Sequence, residues 1–441
     1  MEQGKYDIKK SSRYDLLLPY LSLFLLYSCL SVIYQGYTGD MNCWRLWATH
    51  HLKYGVGHAY ESGTDYLPLY HYVLFIFAKI QGSPEAIANH IYQLRYFTLF
   101  VEFIAGFFLL KLTYDKYKNP DQSVVYTMFY FANIFMFYNT VVWGQIDGIQ
   151  AGLVFISFFF AYKQKIGWSV SFYVLAVNLK LQAIVFLPVI GLMLLPVVAD
   201  RFSLKNLMQW LAFPIYIQFF ILVPFIVAGD TDKLRAVVIE SVGKYPMVSM
   251  NAFNIWYLLL GDDLMNTSDT WTFGGISYHR WGLWMFFISS FFALFYLLKI
   301  NYQRIRNIKN TLSLEKTLII AGLIPLLFFY FNTQMHKRYA HPALIFTAGY
   351  AVLSKHFFPF VMLSIAYFIN LEAVLNQFHL FGFDYIRELC SVLYLIVIIL
   401  LFIELYENPS KKKRLFLYSL ARRNSDCVEV KEAVSKQGIE K

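Results

Sequence analysis

Tyr66-Leu67-Pro68-Leu69-Tyr70-His71-Tyr72-Val73-Leu74-Phe75-Ile76-Phe77-Ala78-Lys79-Ile80 is almost wholly apolar, and whether it crosses a membrane decides the topology around it. As a helix this stretch covers about 22 Å, short of a hydrocarbon core of about 30 Å. Charge supplies the second argument. If the stretch stays on the outer surface, the loops returning to the N-terminal side are the basic ones: Lys116 and Lys118, Lys163 and Lys165, Arg201 and Lys205, Lys299 to Lys309, and Lys355. Basic loops face the cytoplasm, as do Lys5, Lys9, Lys10 and Arg13 ahead of the first span. As a true span, the stretch would strand that N-terminus opposite every other basic loop. It is therefore read as part of a long first outer loop, 35–92.

Composition establishes the membrane. Of 441 residues, 58% are hydrophobic, 20% aromatic and only 15% charged, and no soluble domain of this length could bury that much apolar surface. The formal charge of +10 reads as topology bias, with no nucleic-acid partner. Cys29, Cys43, Cys390 and Cys427 make neither a disulfide framework nor a zinc spacing. The first apolar run is long and lacks a small-residue cleavage site, so it is read as a retained span. The expected fold is an all-α polytopic membrane protein with about twelve spans. They are placed near 14–34, 96–114, 121–138, 148–162, 167–180, 183–198, 207–227, 281–299, 316–333, 340–354, 357–376 and 389–406. One membrane domain, 1–410, precedes a basic and polar cytoplasmic tail, 411–441. The expected location is a bacterial plasma membrane, or the endoplasmic reticulum in a eukaryote.

The polar residues gather at the outer face. Gly39-Asp40-Met41-Asn42-Cys43-Trp44-Arg45-Leu46-Trp47 puts a carboxylate at the mouth of the first span, then a helix whose Trp44, Trp47 and His51 share one face. Such helices in 35–92 are expected to lie at the interface. Trp143-Gly144-Gln145-Ile146-Asp147-Gly148 closes the third span, Lys180 stands between the fifth and sixth, and Met335-His336-Lys337-Arg338-Tyr339 between the ninth and tenth. Charges there are costly unless they face water or a partner, which predicts a cavity. Within the spans, Glu102 and Lys111 are placed on the inner half. His50, His51, His58 and His71 crowd the first loop without a metal-ligand spacing, so no required metal is expected.

These residues carry a resemblance. Gly39-Asp40 with Arg45 and Trp47 is similar to the Gly-Asp-Tyr-Glu-Ala-x-Arg-His-Trp start of the first luminal loop in lipid-linked glucosyltransferases of asparagine-glycan synthesis, members of the GT-C superfamily. Asn42 stands where those enzymes have Glu. Thr64-Asp65-Tyr66-Leu67-Pro68-Leu69 resembles their Asp-Tyr-Pro-Pro-Leu, with Leu67 replacing the first proline. Trp143 to Gly148, Lys180-Leu181-Gln182 and Met250 to Trp256, including Asn254, look like bacterial mannosyltransferase relatives. Met335 to Tyr339 resembles the luminal His-Glu-Lys or His-Glu-Arg segment, with Lys337 in place of the acid.

The resemblance implies a GT-C-type bundle that moves a hexose, mannose in preference to glucose, from a polyprenyl-phosphate donor to a lipid-linked glycan or glycolipid acceptor, with inversion. Asp40 would be the base. Lys180, His336, Lys337 and Arg338 would bind the donor phosphate as cations; Arg45, Trp47, Tyr66, Gln145, Asp147 and Asn254 would bind sugar or acceptor. No cofactor is implied, and the oligomeric state stays open. The chemistry fits independently, since a departing phosphate calls for cations and an attacking hydroxyl for one base. The alternative is a transporter or lipid flippase, which would place gating residues on both sides of a midplane site.

Overall fold

The computed structural model describes residues 13–241, 243–261, 263–306, 308, 311–380 and 385–407. The expected tail and the basic residues of 1–12 lie outside the described residues. Four two-residue strands apart, the regular structure of the described residues is helical. α1 (Arg13–Ile33) leads into α2 (Thr38–Tyr54), α3 (Pro68–Gln81) and α4 (Pro84–Asn89), then α5 (Leu94–Tyr117), α6 (Pro120–Phe131) and α7 (Ile134–Met136), which runs on as a π-helical turn, Phe137–Trp143. α8 (Asp147–Tyr162), α9 (Ile166–Leu179), α10 (Leu187–Arg201), α11 (Leu204–Val227), α12 (Thr231–Glu240) and α13 (Ile255–Leu260) follow. α14 (Tyr278–Ile305), α15 (Leu314–Phe331), α16 (His341–Ser354), α17 (Phe358–Leu375) and α18 (Ile386–Tyr406) complete the bundle.

Local chemistry explains the boundaries. Asn119, Ser203, Ser277 and Ser313 each accept a backbone N–H that the first helical turn cannot satisfy, starting α6, α11, α14 and α15. Proline opens α3, α6, α16 and α17, where its missing N–H is harmless. α3 stops at Gly82, whose positive φ of 74° suits glycine.

Among the described residues eight helices are long and apolar enough to cross a membrane, nine if the pair α6 and α7 counts as one bent span. The chain is consistent with a multi-pass membrane protein. The span expected over 121–138 is not straight: it bends by 41° where Asn133 caps a new helix start. α1 and α11 turn large apolar side chains outward, Leu18 at 60% exposure and Phe220 at 67%, as suits a hydrocarbon surround. α15 and α16 are buried along almost their whole length and form the middle of the core.

Contacts define two ends. At one, the backbone N–H of Tyr37 after α1 donates to the Trp143 carbonyl at 3.0 Å, and Tyr138 donates to Glu372 near the end of α17. At the other, Lys116 at the end of α5 reaches Glu315 and the Leu353 carbonyl, each at 2.5 Å, and Lys163 after α8 reaches Asp115 at 2.8 Å. α8 and α16 thus link both ends with only 16 and 14 residues, about 24 and 21 Å. α3 also has 14 residues, as does α9. Length alone therefore does not set Tyr66 to Ile80 apart, and its reading as a loop segment rests on the charge pattern.

Candidate active site

The α1 to α2 connection fixes Asp40. Gly36, at φ 80°, lets the chain turn against Trp143 and Arg95, where any side chain would strike both. α2 buries Trp44, Trp47 and His51, the face expected from their spacing, and Met41 and Ala48 with them. Trp44 packs on Tyr70 at 5.5 Å between ring centroids, and Trp47 on Tyr66 at 5.2 Å. This seats the helix on α3 and presents Asp40 at its first turn.

Asp40 Oδ2 takes three donors: Trp143 Nε1 at 3.2 Å, the Gln145 side-chain amide, and Arg338 Nη1 at 3.4 Å. Among the described residues Oδ1 has none, and the side chain is 25% exposed. Both Trp143 and Gln145 come from the turn joining α7 to α8, made possible by Gly144 at φ 86°. Asp147, at the start of α8, is buried and accepts from Lys180 Nζ at 2.5 Å. Arg338 stands between the two carboxylates, its Nε 3.9 Å from Asp147 Oδ2. That is too far for a hydrogen bond, and both atoms are buried without a partner.

A cavity of about 330 Å³ opens here, lined by Asp40, Lys180, His336 and Arg338 together with Trp44, Trp47, Tyr66 and Tyr245. Its lining joins α2, the approach to α3, the α9 to α10 step and the segment before α16. A parallel pairing of Ser249–Met250 with Met335–His336 ties the α12 to α13 connection to that last segment. Lys337 is not part of the lining. Its ammonium sits 5.1 Å from the Trp143 ring centroid and 5.7 Å from that of Tyr37, with no carboxylate in ion-pair contact among the described residues. Burial, then Arg338, holds its pKa down at about 8.

Three expectations are corrected. Asn254 is fully buried; it donates to the Phe329 and Asn332 carbonyls and caps α13, so it braces backbone and is absent from the cavity. Arg45 donates to Asn42 one turn back on its own helix, also away from the cavity. His336 lines the cavity but is not a cation, because burial and its neighbours Arg338, Lys337 and Lys180 push its pKa down to about 2. Of the remaining expected residues, Asp40, Trp47, Tyr66, Lys180 and Arg338 meet at the cavity, while Gln145 and Asp147 hold Asp40 and Lys180 from behind.

Other contributors had weaker signals. Cys43, Asp65 and Tyr245 line the cavity, and Asp65 is ion-paired with Lys244; nothing in their sequence context marks Tyr245 or Lys244. Arg95 was detectable as a charge at the mouth of an apolar span, and it donates to the Tyr34 carbonyl at 2.6 Å. Glu102 lies against Gly148, next to Asp147, which puts it beneath the site and not at the far end. Among the described residues no three His, Cys, Asp or Glu side chains group as metal ligands. No family model matches the chain, and no curated protein does.

Proposed function

We propose that the protein is an inverting glycosyltransferase of GT-C type, moving a hexose, mannose in preference to glucose, from a polyprenyl-phosphate donor to a glycan or glycolipid acceptor at the outer or luminal face. The observation that carries this reading is the convergence on one cavity of Asp40, with an unpartnered carboxylate oxygen, and of Arg338, the cation held between Asp40 and Asp147.

Charge supports the donor class. The cluster pairs the carboxylates of Asp40 and Asp147 with the cations Lys180 and Arg338, Lys337 stands beside them without a carboxylate contact among the described residues, and His336 adds nothing. One positive charge is left over, which suits the single negative charge of a polyprenyl phosphodiester. Asp40 Oδ1 takes the acceptor proton as its oxygen attacks the anomeric carbon. The bond from that carbon to the phosphate oxygen breaks, and Arg338 and Lys180 in the lining hold the departing anion, with the Lys337 ammonium adding its charge from beside the Trp143 ring. One base and no nucleophile make a single displacement, hence inversion. Trp47 and Tyr66 offer faces on which a sugar ring can stack. The scheme requires no metal or cofactor.

The twelve-pass topology, with α2 to α4 lying at the interface, belongs to the same proposal. It is supported by α8 and α16 joining both ends despite their shortness. A transporter or flippase is the alternative, but the cavity lies at one end of the bundle, and alternating access calls for gates at both. Incubating purified protein with a panel of labelled polyprenyl-phosphate sugars and membrane-lipid acceptors is the test. Transfer from none of them by folded protein would end the reading.

A further inference from the structure

Beneath the cavity runs a second set of polar groups. Glu102 on α5 accepts from Thr140 Oγ1 at 3.1 Å and stands 3.7 Å from His341 Nε2 at the start of α16. His341 Nδ1 meets the Tyr367 hydroxyl at 3.1 Å, and that hydroxyl donates to Asn139 Oδ1 at 3.0 Å. Each of these five residues is at most 2% exposed, and none lines a cavity described above. Ionisable side chains buried so deep in an apolar bundle are costly, and their hydrogen bonds are stronger for it.

Both ends of this set fall on one element. Thr140 and Asn139 are adjacent residues of the π-helical turn Phe137–Trp143, a rare geometry that clusters at functional sites. The Asn139 carbonyl accepts the backbone N–H of Gln145 at 2.9 Å. Trp143 and Gln145, which close that turn, are two of the three donors to Asp40. Gly148 belongs to the same device, because a Cβ there would land on the Glu102 carboxylate.

We infer that Glu102, His341 and Tyr367 are positioning residues: they clamp the π-helical turn so that Trp143 and Gln145 present their donors to Asp40. The inference rests on the proposed role of Asp40 but is read first without it. Cys43 is exposed, lies three residues after Asp40 on α2 and lines the cavity. Its alkylation rate, in protein whose Cys29 and Cys427 are serine, reports whether α2 is still seated.

The experiment compares wild type, Glu102→Gln, Tyr367→Phe and the double variant for melting midpoint, Cys43 alkylation, and donor kcat and KM. Each single variant is expected to change the alkylation rate at least about threefold and to lower kcat roughly ten- to hundredfold, as when outer-shell partners of a site are removed. KM should move little. The double variant should match the worse single variant, because both substitutions cut one chain. Tyr367→Phe loses only a hydroxyl, and it decides the matter if Glu102→Gln does not fold. A stably folded Tyr367→Phe with wild-type alkylation and kcat would overturn the inference. If wild type transfers no sugar, the proposed reaction falls, while an altered alkylation rate still establishes the clamp and an unaltered one removes it.

Discussion

Arg338 Nη1 stands 3.4 Å from Asp40 Oδ2, joining the first turn of α2 to the segment before α16. The contact places a guanidinium on one carboxylate oxygen and leaves the other free, so the two edges of Asp40 differ in function. Asp40→Asn can keep its carbonyl toward Trp143, Gln145 and Arg338 while losing basicity at the free edge. Turnover should fall about a hundred- to ten-thousandfold, the usual contribution of a general base. Donor binding, read as protection of Cys43 from alkylation, should persist. Wild-type turnover in Asp40→Asn would end the assignment, and lost donor binding would recast Asp40 as a positioning residue.

Lys180 is less separable from the fold than its place in the sequence suggests. Its ammonium is the one hydrogen-bonding partner of Asp147 among the described residues. Lys180→Met should therefore destabilise the protein by about 3–5 kcal/mol, the cost of stranding one member of a buried pair. Lys180→Met with Asp147→Leu should recover most of the melting temperature and still fail to transfer sugar. Activity in that double variant would show that neither residue serves the donor phosphate.

Much of this was legible in the sequence, in proportion to how local each signal is. The buried face of α2 follows from spacing alone, and eight of the twelve expected spans fall on helices that, among the described residues, are long and apolar enough to cross a membrane, because apolar runs and caps act within a few residues. The bend at Asn133 was not read, although an asparagine before Ile134 is the capping signal that marks it. Asp40 and Asn254 looked alike as polar residues in ordered motifs, yet one faces a cavity and the other braces carbonyls 75 and 78 residues away. His336 was read as a cation because its charge depends on burial and on Lys180, which is distant in the chain. The Glu102 network was hidden for the same reason, since its members come from four separate elements.

Topology has a direct test, motivated by the alternation of basic loops and not by helix length. A cysteine at Lys118, after α5, should resist an impermeant thiol reagent added outside cells, in a background lacking Cys43. Lys118 is well exposed, with 69% of its side chain accessible, so protection there reports the membrane and not burial. Labelling at the rate of an outer-loop control would reverse the orientation.

Lys337 ties activity to pH with a sign that can be worked out. Its pKa is lowered from 10.5 to about 8, by burial first and Arg338 second. If its ammonium adds its charge to the donor-phosphate site from beside the Trp143 ring, turnover should fall as pH rises through about 8, and Lys337→Arg, charged throughout, should carry activity to higher pH. Stability should move the other way. Between about 8 and 10.5 the unfolded chain holds the Lys337 proton that the folded chain has released, so stability rises with pH across that window. The penalty is present in full below about 8 and is relieved toward 10.5. In Lys337→Met both slopes should vanish together. A turnover profile that still falls near pH 8 in Lys337→Met would assign the titration to another group and remove Lys337 from the phosphate site.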